Sequence, residues 1–321
     1  MHGGTTATVL VILDGHRVIT ANVGDSAALL CGIDNNNTFN LRSGDEWLPL
    51  SHVFSDDQTP LSTTMAIAVA SESTNLSPTP SEGGPSDNGN NGNASLSSSF
   101  TMELTANHTP ESEIEFLRTA SVRPSRSGLQ IGGRIAPDLL FVYDSLSSSK
   151  SKCAPIFEST EEGLMRKTSK GSYYKNVRSE WATLVVTPPH AAFQDALAFT
   201  RSLGDFHLQA YGVAHAPDVR WIDLNQVNTA SASLVSLPPL PSVLAIVLAS
   251  DGLWDNWKES EISSFVLNQQ IIHQVKQDPK GTARKVTDTL MAENLKKAST
   301  NFGESADNMT ILVTYLSKAA V

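Results

Sequence analysis

Apolar and polar positions change period several times along this chain, and the changes mark out its elements. Residues 8–13 (TVLVIL) and 17–23 (RVITANV) are β-branched runs separated by Asp14-Gly15-His16. An Asp-Gly step between two such runs predicts a tight antiparallel hairpin, because glycine supplies the positive φ of the turn. After Gly24-Asp25-Ser26 the apolar run 27–31 predicts a third strand, and the opening reads as a three-stranded meander. Residues 111–120 bring Ile114, Phe116 and Leu117 roughly to one side behind Pro110, predicting a short amphipathic helix. Between Ser242 and Ser250 every position is apolar, as in a strand covered on both faces. Helical spacing recurs over 259–274 and 283–297, and 309–316 (MTILVTYL) predicts a closing strand. Strands first, then two long helices and a last strand indicate an α+β fold, not an alternating parallel sheet.

Composition breaks this pattern in two places. Residues 71–99 are Ser, Asn, Gly and Pro with almost nothing to bury. Such a stretch cannot offset its ordering entropy, which predicts a disordered insertion over 60–100. A second, Ser-rich and mixed-charge stretch over 144–175 predicts a long inserted loop. Patterned sequence resumes on both sides of each, so 1–321 reads as one domain. With 23 Lys plus Arg against 33 Asp plus Glu, the net charge of −10 argues against a nucleic-acid partner. Cys31 and Cys153 stand alone, which excludes a disulfide scaffold and a cysteine-rich zinc site. No basic leader precedes an apolar stretch, and the longest apolar run is too short for a bilayer. The expectation is an intracellular monomer of cytoplasm or nucleus, with no membrane partner.

Four acids share one setting. Asp25, Asp251, Asp255 and Asp307 each sit at or just beyond the end of an apolar run, beside a Gly, a small residue or an Asn. A strand end on a rigid sheet holds a carboxylate in place while leaving it within reach of solvent. Several such carboxylates without a basic partner suit a hard divalent cation, Mg²⁺ or Mn²⁺. The competing reading is turn chemistry, since Asp fills turns everywhere.

The run Ala249-Ser250-Asp251-Gly252-Leu253-Trp254-Asp255 resembles the signature of the metal-dependent protein phosphatases, the type 2C or PPM family. Five further blocks resemble that family in its own order. They are Gly4-Thr5-Thr6-Ala7; Ala21-Asn22-Val23-Gly24-Asp25-Ser26; Leu104-Thr105-Ala106-Asn107-His108-Thr109-Pro110, with Asn107 where the family has Asp; Leu197-Ala198-Phe199-Thr200-Arg201-Ser202-Leu203-Gly204-Asp205; and Asp307-Asn308-Met309-Thr310. The resemblance implies a sandwich of two antiparallel β-sheets flanked by α-helices, with a two-metal centre at one end. It implies hydrolysis of phosphoserine or phosphothreonine in phosphorylated proteins by a metal-bound water, without a covalent intermediate. Position by position, Asp251 and Asp307 match ligands of the metal pair, and Asp25 and Asp255 match carboxylates serving a further, weaker ion. Arg201 and Asp205 read as a buried ion pair or turn, Trp254 and Trp257 as packing residues, and His108 and His190 as having no catalytic role.

The family's earlier segment carries a Glu-Asp pair, an Asp-Gly-His-Gly-Gly motif and a phosphate-binding Arg, and these 321 residues hold no counterpart. His2-Gly3-Gly4 abuts a strand without a preceding Asp, and Asp14-Gly15-His16 reads as a hairpin turn. The sandwich is then expected without its N-terminal elements, and with part of the metal shell. Two readings follow: a piece of an active phosphatase, or a catalytically dead module that binds phosphoproteins or a kinase. A third treats the aspartates as turn formers in a structural domain.

Overall fold

In the hairpin that opens the fold, Ala7–Leu13 and Arg17–Val23 pair in antiparallel register from Ala7 opposite Val23 to Leu13 opposite Arg17. Both Asp14 (φ 52°) and Gly15 (φ 72°) sit at positive φ, as a type I′ turn requires, and the His16 N–H closes on the Leu13 carbonyl at 3.1 Å. The computed structural model describes residues 3–34, 98–122, 130–131, 134–135, 139–145, 150–161, 165–224 and 243–317. The stretch 60–100 lies outside the described residues except for its last three, which open the strand Ser98–Glu103.

The expected meander does not form. Ala27–Asp34 leaves the hairpin and crosses to a second sheet, where it lies between Val243–Ala249 and Ser98–Glu103. Ile311–Ser317 completes this four-stranded antiparallel sheet beside Val243–Ala249. The hairpin gains Asp218–Asp223 instead, giving a three-stranded sheet. The cause lies at Gly24, whose φ of 101° turns the chain out of the first sheet. The run 27–31 is also apolar at every position, so both of its faces need cover that a hairpin edge does not offer.

The two sheets face each other across a core built from Val18, Ala28, Leu30, Leu224, Leu244 and Ile246. Strand alternation sends Leu29, Cys31, Val243, Ala245 and Val247 to the opposite face, where they meet Leu253, Trp254, Trp257, Ile262, Val266 and Leu290. The fold is therefore α+β, a β-sandwich with helices laid on the outer face of the four-stranded sheet. Trp254 and Trp257 are packing residues there, both buried. At the other outer face Val9, Val11, Leu13 and Trp221 are exposed.

Three helices occupy the region where two were expected: Glu259–Val266, Gln269–Gln277 and Pro279–Phe302. The breaks are capped by side chains. Asn268 accepts the Ile271 N–H at 2.9 Å, and Asp278 accepts the Gly281 N–H at 3.0 Å with Pro279 opening the next helix. Val286, Leu290, Asn294 and Ala298 fall every four residues and form the buried stripe of the longest helix.

A second core gathers around Phe116, Phe141, Tyr143, Ile156, Phe157 and Val185. It joins the helix Glu113–Val122 to the sheet formed by Leu140–Tyr143, Thr183–Val186 and Ala196–Leu197. On that helix Phe116 is buried, but Ile114 is 62% exposed, so the expected apolar face is rotated. Within 144–175 the described residues include the paired strands Phe157–Ser159 and Met165–Lys167, and Ile156 is fully buried.

Candidate metal centre

Each of the four aspartates leaves the sandwich at the same end. Asp25 sits in the turn between Arg17–Val23 and Ala27–Asp34. Asp251 follows the central strand Val243–Ala249 and opens a single helical turn, Asp251–Trp254, with Asp255 just after it. Asp307 stands before the closing strand Ile311–Ser317. One backbone bond and one side-chain bond bring the last two segments together: the Ser250 N–H donates to the Thr310 carbonyl at 3.1 Å, and the Thr310 N–H to Ser250 Oγ at 3.0 Å.

The acidic turn is held from beneath. Asp251 Oδ1 accepts the Gly252 N–H at 2.9 Å. The Gly252 carbonyl accepts from Asn256 Nδ2 at 3.1 Å and from Asn294 Nδ2 at 2.9 Å. Asn294 is fully buried and also takes the Trp257 indole N–H at 3.0 Å, so the long helix fixes the turn. Gly252 itself packs against the Asn308 carbonyl, with no room for a Cβ. Gly252→Ala is therefore expected to push the 251 and 307 turns apart. Overpacking of this kind costs about 1–3 kcal/mol, read as a lower urea midpoint at unchanged slope.

Electrostatics show how closely the acids crowd. Burial raises Asp251, and the charges of Asp25, Asp307 and Asp255 raise it further, to about 7. Burial also lifts Asp25, opposed by Lys175 and its own backbone N–H, and reinforced by Asp255 and Asp307. Asp255 is lifted by burial against the pull of Lys175, Asn176 and Arg178. Asp307 is exposed. The four expected site residues thus act on one another across three distant stretches of chain.

Pattern reading missed a fifth contributor. A turn over 175–180 docks on the site: the Val177 N–H donates to the Asp255 carbonyl at 3.2 Å, and Asn176 Nδ2 donates to Asp255 Oδ1 at 3.0 Å. Nothing in the residues 175–180 signals this, because the contact joins positions 79 apart in sequence.

The donor set fits a hard divalent cation. It is all oxygen, partly solvent-accessible, and strained by its own charge. Among the described residues the one triplet of ligand-type side chains with atoms within 4.8 Å of one another is His108, Glu115 and Asp218, which includes none of these aspartates. The triplet itself is no cation site, because Arg201 lies within it. Its guanidinium bonds Glu115 Oε1 at 2.6 Å and Asp218 Oδ1 at 2.9 Å. The expected structural role of Arg201 takes this form, whereas Asp205 is bound by Ser202 Oγ at 2.6 Å in a turn at φ 46°.

The site is thus a β-sandwich with aspartates from three separate stretches of chain at one end. The family model for protein phosphatase 2C matches residues 1–59 and 180–301, more than half of the chain. The chain belongs to the protein phosphatase 2C family. No curated protein matches it. Among solved structures it is similar to a serine-threonine phosphatase 2C from Toxoplasma gondii, with 14% identity and a TM-score of 0.44 over 98% of this chain and 58% of that one. It is also similar to a C. elegans sex determining protein (12% identity, TM-score 0.40, 98% of this chain and 40% of that one). A bacterial serine phosphatase gives 14% identity and a TM-score of 0.34 over 99% of this chain and 60% of that one. The chain thus spans less than two thirds of the length of each. Among the described residues no helix is long and apolar enough to cross a membrane.

Proposed function

We propose that this chain supplies the acidic shell of a metal-dependent serine/threonine phosphatase centre. Asp251 and Asp307 would hold Mg²⁺ or Mn²⁺, and Asp25 and Asp255 would serve a further ion. The observation that carries this reading is geometric: the Asp251 turn and the segment carrying Asp307 are joined by the Ser250–Thr310 hydrogen bonds at the end of the sandwich where Asp25 and Asp255 also lie, so that the charges of Asp25, Asp307 and Asp255 all bear on Asp251. A site that keeps such repulsion in its resting state gains most when a dication neutralises it. When bound, the cations supply charge neutralisation at the phosphoryl group and a lowered pKa for a coordinated water. The chain's own residues do the rest. Gly252 and Asn294 fix the Asp251 turn, the Ser250–Thr310 pair brings Asp307 beside it, and Asn176 orients the Asp255 carboxylate. The substrates are phosphorylated Ser/Thr side chains of other proteins. The whole chain acts as one domain, with 60–100 and 144–175 as insertions in it.

The test uses the full chain. Calorimetric titration with MnCl₂ is expected to show binding that Asp251→Asn removes. Phosphate release from a phosphothreonine peptide is expected to require the metal. Absence of Mn²⁺ binding at millimolar metal by the unaltered protein would overturn the reading.

A further inference from the structure

His108 is almost fully buried, at 1% exposure, although it lies in the irregular segment between Ser98–Glu103 and the helix Glu113–Val122. Its ring is bonded at both nitrogens. The Gly24 N–H donates to Nδ1 at 3.0 Å, and Nε2 lies 2.6 Å from Asp218 Oδ2. A backbone N–H only donates, so Nδ1 must accept, and the ring proton sits on Nε2 and is donated to Asp218. Asp218 is held in turn by Arg201 on its other oxygen at 2.9 Å. The tautomer is therefore selected from both sides.

The consequence falls on Asp25. The Gly24 N–H belongs to the peptide before Gly24, and the Gly24 carbonyl to the peptide that joins it to Asp25. That carbonyl accepts from the His108 backbone N–H at 3.4 Å and from Asn22 Nδ2 at 3.1 Å. Asn22 Nδ2 also donates to the Ala106 carbonyl at 2.8 Å, closing the clamp. Both peptide planes flanking Gly24 are thus fixed by the 106–108 segment. Gly24 is the residue with the most freedom to swing, at φ 101°, and the next carboxylate faces like charges. Without the clamp, repulsion would move Asp25 away from Asp251 and Asp307.

We propose that His108 is a positioning residue: held as the Nε2–H tautomer by Asp218, it accepts the Gly24 amide through Nδ1 and so fixes the turn that carries Asp25 into the acidic cluster. The effect on metal binding rests on the functional reading above, but the clamp itself does not. The clamp bears on the further ion assigned to Asp25, and groups that orient a ligand typically change its metal affinity by about 10–100-fold when removed.

Two near-isosteric variants separate the two ends of the ring. His108→Asn puts an amide oxygen where Nδ1 stood and keeps the Gly24 acceptor. His108→Gln reaches Asp218 with its amide N–H but leaves Gly24 without an acceptor. Mn²⁺ titration of the full chain is expected to show the weaker of the binding events near normal for His108→Asn and weakened by about 10–100-fold for His108→Gln. Equal losses, or the greater loss in His108→Asn, overturn the proposal, because a merely structural histidine makes no such distinction. If the unaltered protein binds no Mn²⁺, the metal reading fails, and two metal-free measurements still decide the clamp. Long-range ¹H–¹⁵N spectra of the unaltered protein must show the Nε2–H tautomer; a proton on Nδ1 overturns it. Exchange of the Gly24 amide must be slow in the unaltered protein and in His108→Asn, and fast in His108→Gln; slow exchange in all three overturns it. Should either variant fail to fold, the tautomer spectrum alone is decisive.

Discussion

Replacing Arg201 by Met is expected to cost about 3–5 kcal/mol of folding stability at neutral pH, because it breaks a buried ion pair and leaves charge behind. Arg201 bonds Glu115 through Nε at 3.1 Å and through its terminal nitrogen at 2.6 Å. The Glu115 and Arg201 side chains are 2% and 7% exposed. With Arg201 gone, Glu115 keeps only Arg118 at 3.0 Å and the Thr200 hydroxyl at 2.7 Å, while Asp218 loses its guanidinium. Burial works against ionisation of Glu115, yet hydrogen bonds and charge from Arg201, with Arg118 and Thr200, outweigh it and hold the carboxyl at about 2. That value lies below the ordinary 4.5, so the folded state favours the carboxylate. The stability it contributes is complete above pH 4.5 and is lost as the pH falls toward 2. Urea denaturation should show a large gap between the unaltered protein and Arg201→Met at pH 7 that narrows toward pH 3. Adding Glu115→Gln to Arg201→Met should recover part of the loss. A gap under about 1 kcal/mol at pH 7 would mean that solvent reaches the pair and screens it.

Asp251→Asn is expected to act in opposite directions on metal binding and on stability. It removes a carboxylate from the centre and should abolish Mn²⁺ binding. In metal-free protein it should be stabilising. The Asp251 value of about 7 lies above the ordinary 3.8, so the folded state prefers the protonated acid. Its ionisation destabilises the fold progressively as the pH rises between those two values, and protonation on the acid side relieves it. At about 1.4 kcal/mol per pH unit the full displacement would be on the order of 4 kcal/mol. Because Asp251 is partly solvent-accessible, about 2 kcal/mol is the expected gain for Asn at pH 8. Thermal denaturation in EDTA should show the unaltered protein gaining stability from pH 8 to pH 5.5, with Asp251→Asn nearly flat. Added Mn²⁺ should raise the midpoint of the unaltered protein alone. An Asn variant less stable than the parent at pH 8 would mean that Asp251 works mainly as a turn former.

Much of this was legible where the signal is local. The Asp14-Gly15 turn and the strand Val243–Ala249 follow from short patterns whose physics is confined to neighbouring residues, and those patterns also put Asp25 and Asp251 at strand ends, though not beside each other. What failed depends on remote partners. The run 27–31 looked like a third meander strand because its own residues cannot reveal that Val243–Ala249 is the partner. Ile114 looked like a core residue, but Phe116 and Ala120 turn that helix so that it faces solvent. The helix over 259–274 ends early because Asn268 offers its own oxygen to a backbone N–H, a small competition that periodicity outweighs on paper. The dock of 175–180 on Asp255 and the clamp of His108 on Gly24 left no pattern at all, since each joins a loop to a turn far along the chain.

The order of strands in the four-stranded sheet also sets a timetable for biosynthesis. Ala27 pairs with Ala249, and Ala249 with Ile311. At translation rates of about 5–20 residues per second, the strand after Asp25 waits roughly ten to forty seconds for the strand that precedes Asp251. Ser98–Glu103 can cover one edge of the waiting strand early, but the edge facing Val243–Ala249 stays unpaired through the interval. The segment that carries Asp307 joins the other aspartates only once Ile311–Ser317 has emerged and paired with Val243–Ala249.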